Sequence, residues 1–371
     1  MPAGLEIQLI AVLISISCAL PGVFLVLRRM SLMSDSITHT ILLGIVIAFF
    51  ITHDLSSPLL ILGAALMGVL TVWFTEMIQK TKLVSEDSAI GLVFPLLFSI
   101  AIILITRHAG SVHLDTDSVL LGELAFAPFS RCVVGGVDIG ARGIYVAGTL
   151  LLINAAAVTI FFKELRIVTF DTILASVLGF SPTLIHYGLM SLVSLTAVGS
   201  FEAVGSVLVV AFMIGPPVTA YLLTDDLKWM LILSSVIGAG SAVCGYHLAV
   251  WFDISIAGMI AVVIGIIFLV VFIAAPKRGL MTVSLKRYRQ KKEFAGYVFL
   301  MQIYHHAGTK TEYDETGITS LGRHLHWTEK KTMKAAAVLE KKGYIYRSDD
   351  RYQLTESGNE KCVRVMSTLW Q

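Results

Sequence analysis

The sequence predicts an all-α polytopic membrane protein of about eight or nine transmembrane helices, carrying a small α+β domain at its C-terminal end. Three observations predict it. Of 371 residues, 56% are apolar and 15% are charged, against about 45–50% and about 25% in soluble domains. Mean hydropathy is +0.80. Long apolar runs recur as far as Ile273-Ala274-Ala275-Pro276 and stop there. The charge divides at the same place: residues 1–280 hold 12 Lys+Arg and 16 Asp+Glu, a net of −4, whereas residues 281–371 hold 16 and 10, a net of +6. These values exclude a disordered chain, a collagen-like fibre and an ordinary cytosolic enzyme. Cys18, Cys132, Cys244 and Cys362 lie far apart with no C-x-x-C, so neither a disulfide framework nor a structural zinc site is expected.

Nine apolar spans are predicted, at 7–27, 31–51, 59–78, 89–106, 143–162, 185–202, 204–223, 230–251 and 254–275. Each covers about 18–23 residues, enough at ~1.5 Å per residue to cross a ~30 Å hydrocarbon core. The pair across 185–223 is joined only by a very short turn at Ser200-Phe201-Glu202. The first span is no cleaved signal peptide, since it lacks a basic leader and runs straight into a second span. Alternate connections carry Arg28/Arg29, Lys80/Lys82, Lys163/Arg166, Lys228 and Lys277/Arg278, whereas the other set carries only Arg107, Arg131 and Arg142. The positive-inside rule then puts the N-terminus outside and the C-terminal domain in the cytoplasm.

The second span opens Arg28-Arg29-Met30-Ser31-Leu32-Met33-Ser34-Asp35-Ser36-Ile37-Thr38-His39. Asp35 and His39 are four apart, so on a helix they share a face. With Arg28 and Arg29 at the cytoplasmic interface, His39 lies about 15 Å deeper, near the bilayer midplane. An ionisable group there costs on the order of 2.5–3.5 kcal/mol and is retained where it faces a polar pathway. Carboxylate and imidazole both suit a divalent transition metal. A neutral histidine bonded to aspartate as a structural pair is the alternative. Further on, the connection 164–180 carries Leu165, Val168, Ile173, Leu174 and Val177, which suit a short amphipathic helix with Asp171 as its cap; a solvated loop fits the spacing as well.

The run Arg29-Met30-Ser31-Leu32-Met33-Ser34-Asp35…His39 resembles the signature of the metal-ion permease family of ATP-binding cassette importers, which take up manganese, zinc or iron. Three further stretches resemble it: 162–171 ending at Leu178-Gly179, 203–211 followed by Gly215-Pro216-Pro217, and, more weakly, 86–91. The resemblance implies that Asp35 and His39 hold the metal in the translocation path, and that the segment bearing Glu164, Phe170, Asp171 and Gly179 docks on an ATPase. It also implies a bacterial plasma membrane protein, partnered by an extracytoplasmic metal-binding protein and a second permease copy, identical or related. The chain departs from the family pattern at Ser34, where glycine is usual, and at Leu43, where proline is common before Gly44. No G-x-x-x-x-G-K-[ST] occurs, so ATP hydrolysis falls to a separate chain and this one is not an enzyme. No tightly bound cofactor is expected; the metal is cargo.

Other candidates carry two readings each. Glu202 at the short turn is a gate ligand or a water-facing residue. Pro216-Pro217 marks a broken helix lining a cavity or a plain kink. In the long outer loop, His113, Asp115 and Asp117 form the most ligand-rich short run, as a metal-attracting vestibule or as polar residues simply exposed to water.

Beyond residue 280, the basic linker 281–292 holds Lys286, Arg287, Arg289, Lys291 and Lys292 and suits anionic membrane lipid. Residues 293–371 predict helices at 293–307, 318–325 and 328–342, a hairpin from Tyr344-Ile345-Tyr346-Arg347 and Arg351-Tyr352-Gln353-Leu354, and a last helix. Three helices and a hairpin form the winged-helix pattern. The phrases 339–345 and 352–358 resemble those of metal-dependent repressors of the diphtheria-toxin-repressor kind. In such domains the third helix enters the major groove, which would make Thr328, Lys330, Lys331 and Lys334 the groove-facing residues and Arg347 and Arg351 the wing. DNA contact and a regulatory or docking role both remain open. The leading expectation is the permease subunit of an ATP-driven importer of divalent Mn, Zn or Fe; the rival is a membrane-tethered, metal-responsive DNA-binding regulator.

Overall fold

The structure, a computed structural model, describes residues 2–54, 57–108, 124–134, 137–309, 316–318, 320–348 and 350–369. It divides into two compact units, Met1–Gly279 and Leu280–Gln371.

The first unit is built from helices α1 (Ala3–Leu27), α2 (Ser31–Thr52), α3 (Pro58–Lys80), α4 (Glu86–His108), α5 (Arg142–Ile160), α6 (Phe162–Phe170), α7 (Thr172–Val177), α8 (Pro182–Leu223), α9 (Leu227–Phe252) and α10 (Ile256–Ala274). A 3₁₀ turn (Leu124–Phe129) and the antiparallel pair β1 (Arg131–Val134) and β2 (Val137–Ala141) precede α5. Among the described residues, eight helices are long and apolar enough to cross a membrane. Nine spans were expected, and the difference lies in α8. Its 42 residues run through 185–223 as one element, broken by a non-helical residue at Gly205, not at Ser200–Glu202.

The two arms of α8 fold back on each other. Leu189 and Ala220 pack in one apolar cluster with Val23 and Phe24, although a straight helix would hold them about 46 Å apart. Similarly, Ser200 reaches Cys18 while Met213 and Pro217 crowd Gly22, one turn further along α1. Gly205 makes this fold with φ 75° and ψ 166°, a backbone region open in practice to glycine alone.

Small residues and hydroxyls hold the bundle. At Gly44 a Cβ would collide with the Gly63 carbonyl, so α2 and α3 touch backbone to backbone. Thr71 donates to Thr40 at 2.8 Å beside that contact. Ser194 of α8 donates to the Ala65 carbonyl at 3.0 Å. The buried Asn154 of α5 donates to Ser17 at 2.7 Å and to Thr196 at 2.8 Å, tying α5 to α1 and α8. Such bonds replace the hydrophobic drive that hydrocarbon does not supply. After α10, Lys277 and Arg278 clamp Asp225, at 2.8 and 2.7 Å, in the turn between α8 and α9.

The second unit has α11 (Leu280–His306), α12 (Leu321–His324), α13 (Glu329–Lys341), strands β3 (Ile345–Ser348) and β4 (Arg351–Leu354), and α14 (Glu356–Leu369). Residues 281–292, expected as a linker, form the first half of α11, continuous with the helix expected from 293. Phe299, Leu300 and Ile303 of α11 meet Leu321, Ala336, Leu339, Ile345 and Tyr352 in a core of their own. Gly343 ends α13 with φ 71°, and β3 pairs with β4 from Ile345↔Leu354 to Ser348↔Arg351. Thr328 occupies the N-cap of α13 and makes no side-chain cap bond.

Gly205→Val and Gly44→Leu are expected to lower the thermal midpoint of the purified protein, the first through the roughly 1–3 kcal/mol cost of a forced backbone region. Retention of the wild-type midpoint in both would contradict the packing described. The Lys277 hydrogen bond and charge, with Arg278 beside them, hold the Asp225 carboxyl below its usual range. A depressed carboxylate contributes fully above its ordinary pKa of about 3.9 and loses that contribution only as pH falls below it. Stability should therefore respond to Asp225→Asn at neutral pH and cease to respond at strongly acid pH.

Candidate functional site

Helix α2 starts after a tight turn in which Arg29 takes φ 62°, and it runs unbroken to Thr52. Ser34 in place of glycine and Leu43 in place of proline leave it continuous. Two hydroxyls around the candidate pair turn back onto their own helix: Ser34 donates to the Ser31 carbonyl at 2.8 Å and Thr38 to that of Asp35 at 2.7 Å. Ser36 Oγ, between them, is buried without a partner, and Asp35 and His39 stand with Oδ1 and Nε2 3.5 Å apart. The imidazole rests against α4, 5.1 Å from the Phe94 ring and 5.8 Å, edge-on, from Phe98. Its Nδ1 is buried and has no partner. The Asp35 side chain stays 44% exposed.

This arrangement suits transient cation binding. At 3.5 Å the oxygen and nitrogen are too far apart for a strong hydrogen bond, while together they offer one hard and one borderline donor. Two donors fall short of the four or more a divalent transition metal takes. Among the described residues no group of three or more His, Cys, Asp or Glu gathers anywhere. An ion held by this pair would need further ligands from water, hydroxyls or another chain.

A second polar centre was not foreseen. Glu76 of α3 meets His186 Nε2 at 2.7 Å and Lys80 at 3.5 Å, and it accepts from the Tyr187 hydroxyl at 2.8 Å. Arg28, in the turn between α1 and α2, lies 3.4 Å from His186 Nδ1 and donates through Nε to Thr169 of α6 at 3.2 Å. Burial pushes the Arg28 guanidinium down to about 10, and one of its terminal nitrogens is buried without a partner. A cavity of about 570 Å³ opens beside these groups, reaching Arg29, Lys80 and Thr172. The signal was present: Glu76 and His186 fall within predicted apolar spans, where any ionisable residue marks a candidate site.

The segment 162–179 is helical as expected, in two pieces, α6 and α7. Asp171 accepts from the Leu174 amide at 2.9 Å and so caps α7. Leu165 and Val168 are buried, whereas Phe170, Ile173, Val177 and Leu178 are 55–78% exposed. Glu164 is half-buried, with one carboxylate oxygen unpartnered, and Gly179 turns the chain with φ 85°. A groove of about 450 Å³ runs past Arg166, Phe170, Asp171 and Leu174 to Asp226 and Lys228.

Glu202 is exposed and lines a cavity of about 340 Å³ with Ile14, Arg142 and Gly143. Near that end, the buried Glu6 pairs with Arg131 at 3.0 Å. His113, Asp115 and Asp117 lie outside the described residues. In the second unit Thr328, Lys330, Lys331 and Lys334 are exposed along the start of α13, Arg347 sits 3.6 Å from Asp350, and Arg351 is half-buried on β4.

Residues 5–275 match the ABC 3 transport family. The chain is 42% identical over 354 residues to the zinc transport system membrane protein TroD of Treponema pallidum, covering 95% of this chain and 96% of that one. It is 44% identical over 285 residues to the manganese transport system membrane protein MntD of Bacillus subtilis, covering 77% and 96%. The first match is longer than the membrane unit and so continues into the second unit. Among solved structures, PsaBC from Streptococcus pneumoniae in complex with Fab superposes with a TM-score of 0.64 at 29% identity, covering 76% of this chain and 96% of that one.

Removing one partner of a largely buried charge pair is more damaging than removing both. Glu76→Ala should destabilise the protein by about 3 kcal/mol, and adding His186→Ala should restore part of the loss. Additive losses in thermal unfolding of the double variant would show that the two groups do not form one unit.

Proposed function

We propose, from the premise that this chain belongs to the ABC 3 transport family, that it carries divalent manganese or zinc, with iron a further candidate, along a path in which Asp35 and His39 bind the ion in transit. The chain is the permease subunit of an ABC metal importer and not an enzyme; permeases of this family work with an ATPase and a solute-binding protein. The observation that carries the reading is the Asp35–His39 pair, one carboxylate and one imidazole at 3.5 Å inside a membrane helix.

Two features extend it. A carboxylate 44% exposed on a single bundle would face hydrocarbon at high cost if the chain worked alone. A second permease copy, identical or related, covers that face in our reading and supplies or shields the missing ligands. The exposed apolar residues of α6 and α7 form the surface that the ATPase grips, with Glu164, Phe170, Asp171 and Gly179 on or beside it. The basic ends at Arg28, Lys80, Lys163, Lys228 and Lys277 then lie in the cytoplasm. Leu280–Gln371 follows on that side as a cytoplasmic unit of winged-helix order with a regulatory or docking role, and the protein sits in the bacterial inner membrane.

In this reading the extracytoplasmic protein delivers the ion to the mouth near Glu202. Asp35 and His39 replace part of its water shell at mid-bilayer. Binding of ATP to the partner subunit moves α6 and α7. Through the Arg28–Thr169 bond that movement reaches the turn from which α2 starts.

Asp35→Ala and His39→Ala are each expected to cut cellular uptake of manganese or zinc, measured by elemental analysis, at least about tenfold at unchanged membrane abundance, since weakening a metal's ligand set costs 10–100-fold. Wild-type uptake by both variants would remove these residues from the path.

A further inference from the structure

The second unit contains a cleft of about 650 Å³ between α11 and the first half of α13, within the ~300–1,000 Å³ of small-ligand sites. Its polar wall is of one sign. Lys291 and Lys292 project from α11 and Lys330, Lys331 and Lys334 from α13, and no acidic residue lines it. Lys331 lies over the Trp327 ring at 4.0 Å. Among the described residues the other four lysines have no ion-pair partner. The floor is apolar, made by Ala295, Gly296, Ala335 and Val338.

Five like charges brought around one cleft repel one another unless an anion sits among them. Lysines on the rim and small apolar groups on the floor ask for an amphiphile: a phosphate for the ammonium groups and a hydrocarbon portion for the floor. A cleft whose two walls are packed helices admits a headgroup, whereas duplex DNA needs a protruding element to enter its ~12 Å major groove. Only residues 275–279 separate the last membrane helix, which ends at Ala274, from α11, which starts at Leu280. Anionic lipid is therefore within reach of the tether.

We propose that this cleft is a binding site for the phosphate headgroup of an anionic phospholipid, one that anchors the C-terminal unit. The proposal does not depend on the metal-transport reading. The five lysines act together, each contact with an anionic headgroup being worth about a fivefold change in occupancy.

Lysine acylation read by mass spectrometry, on the full chain in nanodiscs, tests it. In discs containing phosphatidylglycerol, Lys291, Lys292, Lys330, Lys331 and Lys334 are expected to react at least about fivefold more slowly than in phosphatidylcholine discs, while Lys341, Lys342 and Lys361 react at the same rate in both. Ala337→Trp places bulk at an exposed position of the cleft with no change of charge, and it should abolish the difference. Lys330→Glu with Lys334→Glu should lower phosphatidylglycerol retention in native mass spectrometry by about fivefold per lysine. Equal protection of all lysines, no protection, or protection that survives Ala337→Trp would overturn the proposal. So would protection in phosphatidylcholine discs by a soluble nucleotide or by duplex DNA with none from phosphatidylglycerol, an outcome that would give the cleft to that ligand.

Discussion

Hydrocarbon offers no hydrogen bonds, so every polar group carried into it needs a partner within the protein. The membrane unit is organised around this constraint. Hydroxyls at Thr40, Thr71, Ser194 and Thr196 bond across helices or back onto their own turns. Asn154 satisfies Ser17 and Thr196 together. Glycines at 22, 44 and 63 let backbones approach until these short side chains reach one another. Against that background the exceptions stand out. His39 Nδ1 has no partner, nor do the buried hydroxyls of Ser15, Ser36 and Ser234, and Asp35 is half-open although it lies within a membrane helix.

The Glu76 centre follows the same logic for another purpose. It gathers ends of α3 and α8 with the α1–α2 turn and the tip of α6, all through charged or strongly polar contacts. Arg28 belongs to both sides of this junction: three residues later α2 begins, and its Nε already grips Thr169. A displacement of α6 cannot leave the start of α2 untouched while that bond holds. The half-buried guanidinium, with one terminal nitrogen unpartnered, is the part of the junction with the most to gain from rearrangement.

The C-terminal unit answers to ordinary aqueous rules. Its core of Phe299, Leu300, Ile303, Leu339 and Tyr352 is small and self-contained, and Lys291, Lys292, Lys330, Lys331 and Lys334 are exposed. The basic stretch after the last membrane helix reads in sequence as a linker, yet it is helical and supplies one wall of the lysine cleft. Charge that resembles a simple positive-inside tail in one dimension becomes half of a concave surface in three.

Much of this was legible in the residues. Apolar runs of sufficient length located the membrane helices. The charge division at residue 280 located the boundary between units. The i,i+4 spacing of Asp35 and His39 placed them on one face, because helical periodicity is a local property. Asp171 as a cap was readable for the same reason. The fold-back of α8 was anticipated as a short turn, but three residues early: only Gly205 tolerates the backbone region required, and nothing local distinguishes it from the other glycines of that span. The Glu76–His186–Arg28 junction was missed because its members are 48, 110 and 158 positions apart in pairs, and sequence spacing carries no information at that separation. Sequence alone thus determined which segments enter the membrane and which side chains are costly there. Only tertiary structure decided which of those side chains meet, since pairing in hydrocarbon depends on how closely the backbones approach.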